Sequence, residues 1–229
     1  TEDCIKSSGD LISKEVEVPE FTKIMVYNGI SLVITQGANY KVEVRSGSNL
    51  IDDITIKVSD GMLFLEDETT CNWVRDYGQT TVYVTTPNLT EVYSKTEKTI
   101  SSNGILKFPS LKLFSIKGYD GFEGAGTGDF ILDIENENVF LETNNISQFT
   151  LSGKTNTLYI GVYDGNGVVD AQNLLANEIS FYHRGSNTVF VHPINSLKGD
   201  IYNLGNVISV SKPQIVAVDE YYKGKLIFK

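Results

Sequence analysis

The stretch 130–162, FILDIENENVFLETNNISQFTLSGKTNTLYIGV, decides how the chain folds, because the triplet Phe130-Ile131-Leu132 returns as Phe149-Thr150-Leu151 after 19 residues. Between them Val139-Phe140-Leu141 returns as Leu158-Tyr159-Ile160 at the same step of 19. The first series continues through Val168-Val169-Asp170, Val189-Phe190-Val191 and Ile208-Ser209-Val210, at steps of 19, 21 and 19. The second continues through Ile179-Ser180-Phe181 and Ile201-Tyr202-Asn203, at steps of 21 and 22. Two interleaved series sharing a period of about 20 residues mean two strands per repeat, the pattern of a solenoid whose coils stack. The pattern predicts a parallel β-helix, in which coils ~4.8 Å apart pair backbone to backbone and stack like residues into one core. A β-sandwich with regularly spaced strands is the alternative.

Working outward, the first half alternates apolar and polar residues in short runs: Val16-Glu17-Val18, Lys41 to Arg45, Ile54 to Val58, Met62 to Leu65 and Thr81 to Val84. Each run reads as a half-buried strand. Asn28-Gly29, Gln36-Gly37 and Asp60-Gly61 lie between them as tight turns, since these residues tolerate positive φ. No window carries an apolar stripe of helical period, and Asp170 to Glu178 offers at most a short turn of helix. The expected class is all-β, in three parts: a tail over 1–15, a strand-rich part over 16–90 and repeats over 91–229.

Composition limits the partners. The 229 residues carry 19 Lys and Arg against 29 Asp and Glu, a net charge of −10. That balance argues against nucleic acid, whose phosphates need clustered Lys and Arg, and against anionic lipid surfaces. No apolar run approaches the ~20 residues of a membrane-spanning helix. The chain begins at Thr1 with no charged-then-apolar leader, so any targeting segment would lie outside it. Cys4 and Cys71 are the only cysteines, and with two histidines in the chain a zinc site is poorly supplied. A disulfide between them would tie the tail to the loop at Trp73 and restrict the unfolded chain by roughly 4 kcal/mol in the entropic model. Two unpaired thiols are the alternative.

The chain resembles the head GIN domain family of Bacteroidetes (DUF2807), the auto-transporter adhesins. In the first half the resemblance rests on Cys4-Ile5-Lys6-Ser7-Ser8-Gly9-Asp10, on Val18-Pro19-Glu20-Phe21-Thr22-Lys23-Ile24 followed by Ile34-Thr35-Gln36-Gly37, and on Thr70 to Arg75. In the second half it rests on turns at Gly124 to Asp129, Ser152-Gly153, Asp164 to Gly167 and Arg184 to Asn187. It implies a right-handed β-helix, pectin-lyase-like in shape, and a role in cell-surface adhesion. It also implies an exported protein, on the cell surface or facing the periplasm; many such proteins look like outer-membrane lipoproteins tethered through a cysteine that would precede Thr1.

Beyond the fold, the most specific pattern is a column. Tyr163, Tyr182, Tyr202 and Tyr222 are spaced 19, 20 and 20 residues apart, followed by Asp164, His183, Asn203 and Lys223. Rings turned outward would make an aromatic strip with a polar edge, on which a sugar could stack; rings turned inward would fill a corner of the core. The candidate ligand-binding residues are therefore Tyr163, Asp164, Tyr182, His183, Tyr202 and Asn203.

Catalytic searches find less. Gly124 to Gly128 precedes a strand, whereas a phosphate cradle opens a helix. Asp164-Gly165-Asn166-Gly167 lacks the further oxygen ligands of a calcium loop. There is no Gly-x-Ser-x-Gly elbow, and His192 before Pro193 reads as structural. Asp120, Asp129 and Asp133 are the acids a polysaccharide hydrolase or lyase would recruit, but their spacing singles none of them out. The expectation is a non-catalytic exported protein with no cofactor and no metal, binding a surface glycan or a protein. A polysaccharide-active β-helical enzyme, and an envelope scaffold that self-associates into homo-oligomers, are the alternatives.

Overall fold

The alternating runs become seventeen strands in the computed structural model, which describes residues 7–69, 80–118, 121–124 and 126–229. In the first half these are β1 (Leu11–Val16), β2 (Lys23–Val26), β3 (Ile30–Gln36), β4 (Lys41–Gly47), β5 (Ile54–Ser59), β6 (Met62–Asp67), β7 (Thr80–Thr86) and β8 (Glu91–Ser94). Then follow β9 (Ile100–Leu106), β10 (Ser110–Ser115), β11 (Phe130–Thr143), β12 (Phe149–Val162), β13 (Val169–His183), β14 (Val189–Ile201), β15 (Val207–Ser209), β16 (Ile215–Glu220) and β17 (Leu226–Phe228). All belong to one sheet that is nearly closed on itself, with mixed strand pairing. Cys4, Cys71, Trp73 and Asp120 lie outside the described residues.

This corrects the expected fold: the protein is all-β, but it is not a right-handed parallel β-helix solenoid. The overturning finding is the pairing, because β1 with β4, β4 with β7, and β5 with β6 are antiparallel. The cause is local. Asp60 and Gly61 both take positive φ, 50° and 74°, and a two-residue turn of that kind sends the chain straight back alongside itself. Asn28-Gly29 behaves differently: Gly29 turns at φ 85°, yet β2 pairs with β6 and β8 while β3 pairs with β7 and β9.

In the second half β10 to β14 lie parallel, each against the next. Phe130 pairs with Phe149, Phe149 with Val169, Val169 with Val189 and Val189 with Val207. Three details depart from expectation. The first series pairs through Val169 and Val207, each one position away from the Val168 and Ile208 that the even steps selected. The paired triplets of β11, β12 and β13 are not separate strands, since each of these strands runs on for 14 or 15 residues, and Asp170 to Glu178 is extended within β13. The second series also runs Val139, Leu158, Ile179, Leu197 and Val216, so Ile201 is out of register. Irregular pairing of β13 with β14 between Asp170 and Leu175, and again between Ala176 and Glu178, shifts the count.

The core follows from this register. Side chains alternate along each strand, so Phe130, Phe149, Val169, Val189 and Val207 all point inward and are fully buried. The Phe130 and Phe149 rings stack at 4.7 Å and 7°. Each such side chain contributes about 1.5–3 kcal/mol by leaving water. The opposite face of the same strands carries the polar and aromatic groups described next.

Candidate functional site

The alternation along β13 separates neighbours sharply. His183 points inward and is 1% exposed, whereas Tyr182 is half-buried on the outer face and Arg184 is exposed there. The expected column is thus an outer one. Tyr163 lies 5.6 Å from Tyr182, Tyr182 lies 4.8 Å from Tyr202, and Tyr202 stacks on Tyr221 at 4.8 Å and 6°. The fourth member is Tyr221, not Tyr222, because Ile201 pairs with Glu220 and so sets Tyr202 beside Tyr221. Tyr222 stands apart, with the Lys223 ammonium 5.7 Å from its ring centre.

The aromatic strip is longer than the sequence pattern showed. Tyr93 stacks on Phe114 at 4.6 Å, Phe114 lies 6.1 Å from Phe140, and Phe140 stacks on Tyr159 at 4.8 Å. The Tyr159 and Tyr163 hydroxyls, 3.4 Å apart, join this run to the tyrosine column. The crossing passes over Gly161, where a Cβ would meet the Tyr163 hydroxyl at 2.7 Å and its ring at 2.9 Å. Phe140 and Tyr159 are one 19-residue step apart, but the joins from Phe114 to Phe140 and from Tyr159 to Tyr163 could not be read from such steps, since the strip shifts there by two or four positions along the strands.

Beside Tyr163 the outer face opens into a cleft of about 390 Å³ lined by Asn144, Tyr163, Asp164, Arg184 and Asn203. Of the expected ligand-binding residues, Tyr163, Asp164 and Asn203 meet there. Tyr182 and Tyr202 stand alongside in the column, and His183 lies beneath it inside the core. Asn144 and Arg184 were missed. Arg184 was legible in principle, because a residue two positions after an outward Tyr182 in a strand faces outward too. The turn below the cleft is fixed by Gly165, at φ 98°, whose amide donates to Asp164 Oδ1 at 2.8 Å; a Cβ on Gly165 would run into the Asn145 carbonyl oxygen.

The polar groups are mostly engaged. Asn144 accepts from the Lys117 amide at 2.8 Å and donates to the Lys117 carbonyl at 2.9 Å. Asn203 donates to the Arg184 carbonyl at 3.1 Å. Burial, with hydrogen bonds to Tyr159 and Glu142, holds the Tyr163 phenol well above its ordinary range. The nearby Asp200 charge raises the Tyr221 phenol, while partial desolvation and then Asp200 raise Tyr202. Inside, His183 Nε2 donates to the Asn187 carbonyl at 2.9 Å, which leaves Nδ1 buried with no partner among the described residues. Burial lowers the His183 pKa, partly offset by that hydrogen bond.

The remaining candidates do not converge. His192 Nδ1 meets the Gln172 carbonyl at 3.1 Å, and Asp129 accepts from the Gln148 amide at 3.0 Å. Asp133 lies in β11, one strand from Gly153 and away from the cleft residues. Among the described residues no cluster of three His, Cys, Asp or Glu side chains could hold a metal, and no helix is long and apolar enough to cross a membrane.

Comparison with known proteins gives the fold relatives. A putative adhesin from Bacteroides fragilis is 19% identical, with a TM-score of 0.85 over 97% of this chain and 98% of its own. Two putative adhesins, from Parabacteroides merdae and Parabacteroides distasonis, are 18% and 17% identical, with TM-scores of 0.69 and 0.68, each over 96% of this chain and 97% and 98% of their own. No curated protein is significantly similar in sequence. The model of the family described as putative auto-transporter adhesin, head GIN domain, matches residues 20–213. That match spans both the mixed first half and the parallel second half, and the chain belongs to this family.

Proposed function

We propose that the protein is a non-catalytic adhesin, exported to the cell surface, that holds a saccharide in the cleft between Tyr163 and Arg184. One observation carries this reading: polar side chains from the turns that follow the successive parallel strands β11 to β14 converge on an outward-facing cleft beside half-buried tyrosines. Sugar hydroxyls suit Asp164, Asn203 and the phenols as partners, while the rims of the tyrosine rings supply apolar contact. The family's name and the adhesin relatives support a surface role, and lipid anchoring would suit it.

Immobilised glycans tested with the wild-type protein and with an Asp164→Ala/Asn203→Ala variant check the reading. The expected result is retention of at least one saccharide by the wild type and its loss by the folded variant. Retention of a protein partner alone, or turnover of a polysaccharide, would overturn it.

A further inference from the structure

We infer that the cleft selects a saccharide bearing a carboxylate, a uronic acid unit, and that Arg184 is the group that takes it; this rests on the saccharide reading proposed above. One carboxylate, Asp164, lines the cleft itself and is placed to accept sugar hydroxyls. One of its oxygens accepts the Gly165 amide at 2.8 Å. Both ends of the Asn144 side-chain amide are tied to Lys117. The Arg184 side chain, in contrast, makes no hydrogen bond or ion pair with any described residue, although it lines the cleft.

A guanidinium offers five N–H donors in a planar fork that matches a carboxylate in two parallel bonds. Tyr163 follows β12 and Asn203 follows β14, on either side of Arg184 after β13, so a sugar whose acid group sits on Arg184 keeps its hydroxyls over polar partners. The net charge of −10 opposes an anion from a distance. At physiological ionic strength, however, charges more than about 8 Å apart are largely screened. Selection is therefore made by contact with Arg184.

The test is calorimetric titration of the whole protein with oligosaccharides of glucuronic acid and with their carboxyl-reduced, neutral counterparts. The acid form is expected to bind at least about tenfold tighter. Arg184→Ala should abolish that preference, and Arg184→Lys should keep part of it, because an ammonium retains the charge but not the fork. Equal binding of acid and reduced forms by the wild type overturns the inference, as does an unchanged preference in Arg184→Ala. If only neutral saccharides bind, the inference falls and the saccharide reading stands. If no saccharide binds, both fall.

Discussion

Two aromatic columns run along the second half of the molecule, one inside at the starts of β11 and β12, the other outside where β14 and β16 end. Inside, Phe130 and Phe149 stack at 4.7 Å and 7°; outside, Tyr202 and Tyr221 stack at 4.8 Å and 6°. The geometry is the same because parallel strands ~4.8 Å apart impose it on any two rings in register. The surroundings differ: both phenylalanines are fully buried, while Tyr202 and Tyr221 are 36% and 60% exposed. Stacking is thus a property of the register and marks neither core nor binding site. In the outer column the stacked rings cover one another's faces, so what they offer a partner is edges and hydroxyls. The cleft beside them adds one cationic group, Arg184, whose side chain has no polar partner among the described residues.

The comparison breaks most visibly at its inner member. Phe149→Ala should destabilise the protein by about 3–5 kcal/mol, since it leaves a cavity flanked by Phe130 and Val169. Urea denaturation followed by circular dichroism measures this, and a loss below about 1 kcal/mol would mean the column is not a shared core.

His183 sharpens the same contrast within one strand, because it faces inward between the outward Tyr182 and Arg184. Its Nδ1 has no partner among the described residues, and burial places its folded pKa below the ordinary 6.5. The unfolded chain therefore takes up the proton more readily than the folded one. Stability should be flat above the usual histidine range and fall as the pH drops below it, by at most about 1.4 kcal/mol per pH unit from this group. His183→Gln should flatten that slope in melts run between neutral and mildly acidic pH; an unchanged slope would assign the effect elsewhere.

On the outer face the expected loss is smaller. Tyr202→Ala should cost about 0.5–1.5 kcal/mol, from its two ring neighbours, with no core cavity behind it. A loss matching that of Phe149→Ala would mean the outer column is structural to the same degree as the inner.

How much of this was legible in the sequence depends on how each element is coded. The step from Phe130 to Phe149 is a true pairing register, because both strands run through it without irregularity. The step to Ile201 failed because irregular pairing between β13 and β14 shifts the register, which counting along the chain cannot detect. The Asp60-Gly61 turn was visible, yet an antiparallel hairpin was not drawn from it, and that hairpin is part of what excludes an all-parallel solenoid. In the site, equal spacing allowed either residue of Tyr221-Tyr222; only the pairing of Ile201 with Glu220 chooses between them. That His183 faces the core while Arg184 lines the cleft was hidden for a related reason: spacing gives the neighbouring strand, but the face needs the phase of the alternation.

Arg184→Ala should leave stability within about 0.5 kcal/mol of the wild type, the range for an exposed side chain that holds nothing in place. A residue kept for folding on this face would be tied down, as Asn144 and Asn203 are by their hydrogen bonds to backbone. Arg184 is not, so removing it takes little from the folded state and should show in ligand binding alone. Thermal melts of the variant beside its titration with the glucuronic acid oligosaccharides measure both. A melt shifted as far as that of Tyr202→Ala would show that Arg184 is held by the strip, and the inner and outer faces would then differ in exposure but not in purpose.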